Sequence, residues 1–149
     1  MTDRTGPLAR SGFFSPAGNG SPIHDHGRAC AVIKVLHGQI QVSWFSALSP
    51  AIGQPWGSTV AHAGEVTFLT PDYYQIHRLF NPSPKGGSFC ATIQCYRYPD
   101  DDLRHDEYFD YIEDGHVKQF LPDSDWTYLA FKEAIRQEWQ AAMKGAVTD

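Results

Sequence analysis

The stretch "SPIHDHGRACAVIKVLHG", residues 21–38, places a pair of histidines directly before an apolar run rich in β-branched residues. The two, His24 and His26, stand one residue apart. On a β-strand, residues i and i+2 project from the same face, so both imidazoles would point at one place. The spacing therefore predicts two corners of a metal site.

Further short apolar segments follow this stretch, and turn residues separate them. Five segments read as β-strands because they are rich in β-branched and aromatic residues and are bounded by Gly, Pro, Asn or Ser. They are residues 30–36, 39–46, 65–70, 74–80 and 88–97. His37 and Gly38 are predicted to form a hairpin turn between the first two. Strands at this spacing predict a β-sandwich or barrel and not a parallel α/β sheet.

The C-terminal part of the chain has a helical pattern instead. Asp123 or Ser124 offers an N-cap and Gly145 a stop, so we expect one α-helix at about residues 124–144, packed on the barrel or on a partner. Its apolar stripe consists of Trp126, Leu129, Ala130, Ile135, Trp139 and Met143. The acidic residues 98–122 before it are predicted to form a loop with a short hairpin, in a position to cover the mouth of a pocket.

Composition limits the class of protein. The 149 residues, 42% of them hydrophobic, predict a single domain whose core spans about residues 12–98. A net charge of -5 without a basic cluster argues against nucleic acid as a partner. No apolar run is long enough for a membrane span, and no secretory signal pattern is found. Three cysteines, Cys30, Cys90 and Cys95, predict reduced thiols rather than a disulfide framework. We therefore expect a cytoplasmic protein whose partners are small molecules.

Two motifs carry a resemblance to known proteins. Gly18, five further residues and the pair His24 and His26 are similar to the first motif of the cupins. The second cupin motif ends in a histidine, three residues and an asparagine, as does "HRLFN" at residues 77–81. The resemblance implies that His77 supplies a third nitrogen from a later strand.

The implied ligand set has three imidazoles and no carboxylate, because Ala31 stands where many cupins carry a glutamate ligand. Three histidines on one side of a metal leave the opposite positions open for a substrate and dioxygen, as non-haem iron oxygenases require. Such a neutral set tolerates an anionic thiolate ligand more easily than a set with a carboxylate. The same ligands suit zinc with a water in the open position, so they do not choose the metal by themselves.

Taken together, residues 18–97 resemble the cysteine dioxygenase family, the thiol dioxygenases of the cupin superfamily. The resemblance is carried by "SPIHDHGRACAVIKVLHGQI", "YYQIHRLFNPS" and "TIQCYRYP". It implies a double-stranded β-helix, or jelly-roll, barrel with Fe(II) bound by His24, His26 and His77. It also implies that the protein oxidises a small thiol, cysteine or a related compound, to a sulfinic acid with O2.

The family's Ser-x-His-x-Tyr strand aligns with "TIQCY", which places Thr92, Gln94 and Tyr96 on one strand face. The resemblance implies that these three are catalytic residues and that the Tyr96 hydroxyl lies over the iron. Gln94 replaces the family's histidine, and an amide relays hydrogen bonds but cannot hold a charge. Ala31 occupies the position from which a cysteine crosslinks to this tyrosine in animal members.

The family's arginine for the substrate carboxylate has no counterpart here that matches its motif. The arginines that could bind a carboxylate in its place are Arg4, Arg10, Arg28 and Arg78. The other histidines are expected in turns or at the surface; they are His37, His62, His105 and His116.

Two other functions stay open beside the thiol dioxygenase. One is a metal-dependent cupin isomerase, lyase or hydrolase of a biosynthetic pathway, using Zn, Mn or Ni in place of Fe(II). The other is a non-catalytic cupin that binds a small ligand. Cupins commonly pair through exposed strands, so a homodimer is compatible with each of these functions.

Overall fold

The computed structural model describes residues 8–49, 51, 53–98 and 109–120, together with five helical residues near the C-terminus. These ranges contain ten β-strands. The strands are β1 (Leu8–Ser15), β2 (His24–Asp25), β3 (Cys30–His37), β4 (Gln39–Trp44), β5 (Gly57–His62), β6 (Val66–Leu69), β7 (Ile76–Phe80), β8 (Cys90–Arg97), β9 (Phe109–Glu113) and β10 (His116–Phe120). Every pairing between them is antiparallel.

The strands form two sheets that pack against each other. One has four strands in the order β1-β8-β3-β6, and the other has six in the order β10-β9-β2-β7-β4-β5. The alternation along β3 explains the layering, because Ala31, Ile33 and Val35 are buried while Val32 and Lys34 between them are exposed. With this period of two, one face of each sheet supplies the interior and the other meets solvent.

Two apolar clusters fill the space between the sheets. One consists of Val35, Ile40, Val42, Ala61, Leu79 and Cys90. The other consists of Ala29, Ala31, Leu69, Tyr96 and Tyr98. Along β8, the buried polar residues Thr92 and Gln94 lie between Cys90 of the first cluster and Tyr96 of the second. A polar layer therefore interrupts the core at this level, and buried polar groups of this kind need partners.

The turn at Gly38 joins the two sheets and does not form a hairpin, so that prediction was wrong. β3 pairs with β6 and β8, whereas β4 pairs with β5 and β7. Gly38 has a φ of +70°, and a Cβ there would lie 2.3 Å from the carbonyl oxygen of Phe89. The turn thus requires glycine. Turn residues predict that the chain changes direction, but they do not predict which sheet the next strand joins.

The five predicted strands are all present, as β3, β4, β6, β7 and β8, with ends that differ from the prediction by at most two residues. The prediction missed β1 and β5. A strand at His24 and His26 was expected from their spacing, and β2 covers His24–Asp25. β5 lies at the edge of its sheet and buries one side chain, Ala61, so it lacks a clear alternating pattern. The expected hairpin in the acidic segment is β9 and β10, which pair from His116 opposite Glu113 to Phe120 opposite Phe109.

The described residues of the C-terminal helix agree with the predicted helical segment. They are Glu133, Arg136, Gln137, Trp139 and Gln140. The Trp139 ring lies 5.1 Å from the ring of His37 and 5.3 Å from that of Phe89, so the helix packs on the barrel. The rest of the predicted apolar stripe lies outside the described residues. Within the described part of the chain, no helix has the length and apolar character needed to cross a bilayer.

Candidate metal centre

The structure brings together the three histidines that the sequence singles out. His24 in β2 lies directly opposite His77 in β7, and His26 follows two residues after His24. The ring centroids of the three are 4.5 to 5.1 Å apart. One nitrogen from each ring lies within 4.8 Å of the others, and no carboxylate joins them among the residues described. Three imidazole nitrogens are thus within reach of one cation.

Hydrogen bonds to the backbone fix the tautomer of two of the rings. The Nδ1 atom of His24 lies 3.0 Å from the carbonyl oxygen of Pro22, and that of His77 lies 3.0 Å from the carbonyl oxygen of Tyr74. A carbonyl oxygen only accepts, so each Nδ1 is the protonated nitrogen that donates. The lone pair is then on Nε2 in both rings, and this is the form in which histidine binds metals.

The remaining nitrogens supply the test of whether a metal fits. The Nε2 atom of His77 and both ring nitrogens of His26 are buried and have no hydrogen-bond partner among the described residues. A buried polar atom without a partner costs about 1–3 kcal/mol. Coordination to a cation would satisfy the free Nε2 of His77 and one nitrogen of His26. The residues present therefore fit a divalent metal with a preference for nitrogen ligands.

Burial keeps the three rings neutral. It lowers the pKa of His77 to about 3, and the nearby His24 ring acts in the same direction. Burial is also the main reason why the pKa of His26 is well below its usual value, with further contributions from His24 and His77. The pKa of His24 is lowered by burial as well. Neutral rings are available to a metal without first losing a proton.

A chain of hydrogen bonds on β8 adjoins the histidines. The Tyr96 hydroxyl donates to Oε1 of Gln94, and Nε2 of Gln94 donates to Oγ1 of Thr92 at 3.2 Å. All three residues are buried on one strand face, as the sequence pattern predicts. The Tyr96 ring lies 4.9 Å from the ring of His26. In this arrangement the hydroxyl proton of Tyr96 points to Gln94.

Tyr74 positions His77, and the sequence pattern gave no signal for it. Tyr74 has a φ of +68°, a left-handed conformation that costs a residue with a side chain about 1–2 kcal/mol. Its ring packs against the rings of Trp44 and Trp56, at 4.8 and 5.8 Å. This packing holds the strained backbone, whose carbonyl accepts the hydrogen bond from His77. No local propensity predicts a left-handed tyrosine.

A cavity of about 450 Å³ opens beside the histidines. His24, His26, Gln94 and Tyr96 are among the residues that line it. Its other walls come from β1, from the segment before β2, from β7 and from the β9–β10 hairpin. The hairpin thus forms part of the wall, in the place where the sequence led us to expect a cover for a pocket.

The arginines considered for a substrate carboxylate are not seen at this cavity. Arg28 and Arg78 are exposed and do not line it, and the Arg78 guanidinium lies 5.2 Å from the ring centroid of Phe80. Arg4 lies outside the described residues. Of Arg10 only the backbone is described, which pairs with Cys95 in β8.

The remaining histidines and cysteines have ordinary surroundings where they are described. His62 and His116 are exposed, while His37 is partly buried against the ring of Phe89, and His105 lies outside the described residues. The cysteines are free. Burial raises the pKa of Cys90 to about 11, so its thiol stays protonated within the core.

Comparison with solved structures shows the fold. A structure of a conserved protein from Klebsiella pneumoniae subsp. pneumoniae with a double-stranded β-helix domain matches 73% of this chain and 77% of its own, at 16% identity and a TM-score of 0.52. The fold is that of the cupins. A cupin 2 conserved barrel domain protein from Salinispora arenicola matches 66% of this chain and 69% of its own, at 17% identity and a TM-score of 0.46.

A structure of oxalate oxidase in complex with the substrate analogue glycolate is also similar to this chain. It covers 87% of this chain and 56% of the other, with a TM-score of 0.50 and 17% identity. No protein-family model matches the sequence. At these identities the likeness concerns the fold, and the function has to be argued from the site.

Proposed function

We propose that this cupin is a non-haem Fe(II) enzyme that oxidises a small thiol to a sulfinic acid with dioxygen. The observation that carries the proposal is the ligand set, three neutral imidazoles with no carboxylate among them in the described chain. A neutral set balances the charge of an anionic thiolate better than a set that already contains a carboxylate. The resemblance of residues 18–97 to the cysteine dioxygenase family supports the same reaction.

Iron(II) held by His24, His26 and His77 would supply the one-electron chemistry through which dioxygen reacts with a thiol. The overall reaction balances as one thiol and one O2 giving one sulfinic acid, with both oxygen atoms transferred to sulfur. The backbone carbonyls of Pro22 and Tyr74 would hold two of the ligand rings in their metal-binding tautomer.

The tyrosine and its partners on β8 would position the reacting groups. Tyr96 lines the cavity and donates its hydroxyl proton to Gln94, so this pair would fix the phenol ring beside the reacting groups. Gln94 in turn is held by Thr92. Because an amide does not take up a proton near neutral pH, Gln94 would orient Tyr96 without serving as a base.

The experiment is a reconstitution with defined metals. Metal-depleted protein is loaded with Fe(II), Zn, Mn or Ni without oxygen, and oxygen uptake is then measured with cysteine, cysteamine, 3-mercaptopropionate and larger thiols. We expect oxygen uptake only in the protein loaded with Fe(II), and not with Zn, Mn or Ni. With isotopically labelled O2, the sulfinic acid should carry two labelled oxygen atoms. Replacing Tyr96 by Phe should lower kcat while the metal content stays the same.

Other outcomes favour the competing functions. Turnover of a substrate with Zn, Mn or Ni and without oxygen uptake would favour a metal-dependent isomerase, lyase or hydrolase. Ligand binding that is unchanged after metal removal, with no turnover under any loading, would favour a non-catalytic cupin. Either result overturns the thiol dioxygenase.

A further inference from the structure

The wall of the metal-site cavity is aromatic and carries one acidic group. Away from the histidines, Gln94 and Tyr96, its large side chains are the aromatic Phe13, Phe109, Tyr111 and Phe120, together with Leu79 and Glu113. No lysine or arginine lines the cavity in the part of the chain that the structure describes. A substrate that enters therefore meets ring faces and a carboxylate before it reaches the metal ligands.

Strand register explains how this wall is built. Phe109, Tyr111 and Glu113 alternate along β9, so they project from one face of the strand. β9 pairs with β2 such that Tyr111 lies opposite His24, which places this face against the metal ligands. The Phe109 ring lies 4.6 Å from that of His26.

The aromatic wall extends from the metal ligands to the mouth of the cavity. Phe120 at the end of β10 pairs with Phe109 and is 54% exposed. At the same hairpin, the Glu113 carboxylate lies 2.6 Å from the ammonium of Lys118, which is outside the cavity lining. The carboxylate of the wall is thus already paired with a cation outside the cavity lining.

Charge and size then indicate the substrate. A carboxylate in this cavity would lose its hydration beside aromatic rings, with no cation of the described wall to pair with it. An uncharged apolar group would instead gain from burial against the same rings. The volume of about 450 Å³ is in the range of drug-sized ligands and exceeds what a small amino-acid thiol fills.

We infer that the substrate carries an uncharged apolar tail, aromatic or branched, which packs along Phe13, Phe109 and Phe120 while its reactive end reaches the histidines. This inference rests on the proposed function for the nature of the reactive end, a thiol. It differs from the expectation of cysteine, because a free amino acid brings a carboxylate into an aromatic cavity.

The test compares two thiols that share one skeleton. The first is 2-phenylethanethiol, and the second is its derivative with a carboxylate at the para position. Binding to the Fe(II)-loaded protein is measured by calorimetry without oxygen. We expect the uncharged thiol to bind at least tenfold more tightly. A tighter complex with the carboxylate thiol would overturn the inference and point to a cation from outside the described residues.

Variants of Phe120, at the mouth of the cavity, test whether the aromatic wall causes the preference for the uncharged thiol. Phe120→Ala should reduce the preference for the uncharged thiol several-fold, and Phe120→Arg should shift it toward the carboxylate thiol. The matched control is Leu36→Ala, since Leu36 is 55% exposed but lies outside this cavity. Equal preferences in the Phe120 variants, the control and the unaltered protein would contradict the inference.

A sulfur-free pair separates this inference from the proposed reaction. 2-Phenylethanol and its para-carboxylate derivative are titrated into metal-free protein, with binding followed by nuclear magnetic resonance. Preference for the uncharged alcohol together with no thiol oxidation would refute the thiol dioxygenase and support the apolar tail. Thiol oxidation together with a preference for the carboxylate in both pairs would refute the tail and support the dioxygenase.

Discussion

His24 and His77 lie directly opposite each other on two antiparallel strands, with ring centroids 4.5 Å apart. These residues are far apart in the chain, and the register of β2 against β7 makes them neighbours. Each ring donates from Nδ1 to a backbone carbonyl, so each presents Nε2 as the free nitrogen. Together with His26 they form a nitrogen-only cluster within reach of one cation.

Removal of one ligand should abolish tight metal binding. For His77→Ala we expect the affinity for Fe(II) or Zn to fall by more than about 100-fold, because two nitrogens remain and even the loss of a supporting hydrogen bond costs about 10–100-fold. The metal content after dialysis is measured by atomic spectroscopy. His116→Ala, at an exposed histidine, is the control and should keep its metal. Equal metal content in both variants would contradict the site.

The metal-free protein should lose stability in mild acid. The pKa of His77 is about 3 in the folded protein, against the ordinary value of 6.5 in the unfolded chain, so between these values the unfolded chain binds more protons. The stability is therefore present above pH 6.5 and is lost as the pH falls toward 3. At pH 5, protonation of His77 in the unfolded chain should lower the free energy of unfolding by about 2 kcal/mol. His24 and His26 act in the same direction, because their pKa values are also lowered in the folded protein.

Urea unfolding of the metal-free protein at pH 7 and pH 5 measures this loss. The matched variant is His77→Phe, which keeps a ring in the core and cannot be protonated. Its free energy of unfolding should depend less on pH than that of the unaltered protein. The difference between the two pH dependences is the contribution of His77. The same pH dependence in both proteins would show that His77 does not titrate as its burial requires.

The left-handed backbone of Tyr74 should matter for metal affinity. Tyr74→Asn and Tyr74→Val both remove the ring from its stack, but Asn tolerates a positive φ and a β-branched Val does not. We expect the Val variant to bind metal about tenfold more weakly than the Asn variant, because its relaxed backbone withdraws the carbonyl from His77. Calorimetric titration with Zn gives both affinities, and equal values would mean that this carbonyl does not orient the ligand.

The pair of Tyr96 and Gln94 should act as a unit. Tyr96→Phe removes the hydroxyl, and Gln94→Leu removes its acceptor, each at a cost of about 1 kcal/mol in stability. If Gln94 works by orienting Tyr96, the double variant should lose no more activity than Tyr96→Phe alone. Oxygen uptake with the best thiol gives the comparison. Independent, multiplicative losses would show that Gln94 has a role of its own.

Local sequence was sufficient to predict those strands and site residues that depend only on neighbouring positions in the chain. The alternation in β3 and β8 is a pattern of adjacent residues, so their buried faces could be read in advance. The spacing of His24 and His26 is local as well. His77 could be added because the cupin motifs match. The fold, and not the local sequence, brings His77 next to His24 and His26.

Features that depend on distant contacts could not be read in this way. The turn at Gly38 was assigned to a hairpin because the chain neighbourhood does not specify the sheet that β4 joins. The left-handed Tyr74 is maintained by packing on Trp44 and Trp56, which belong to other segments. Its role in holding His77 therefore emerges only from the assembled barrel.

The sequence by itself determined the short strands of a β-sandwich or barrel and the pair His24 and His26, since both follow from spacings of a few residues, and the resemblance to the cupin motifs added His77. The tertiary structure alone decided the wall of the cavity. The pairing of β9 with β2 sets Phe109 and Tyr111 beside the histidines, and Arg28 and Arg78 do not line the cavity. Strand register and the choice of neighbours depend on contacts between residues far apart in the chain, and these contacts select which side chains meet the substrate.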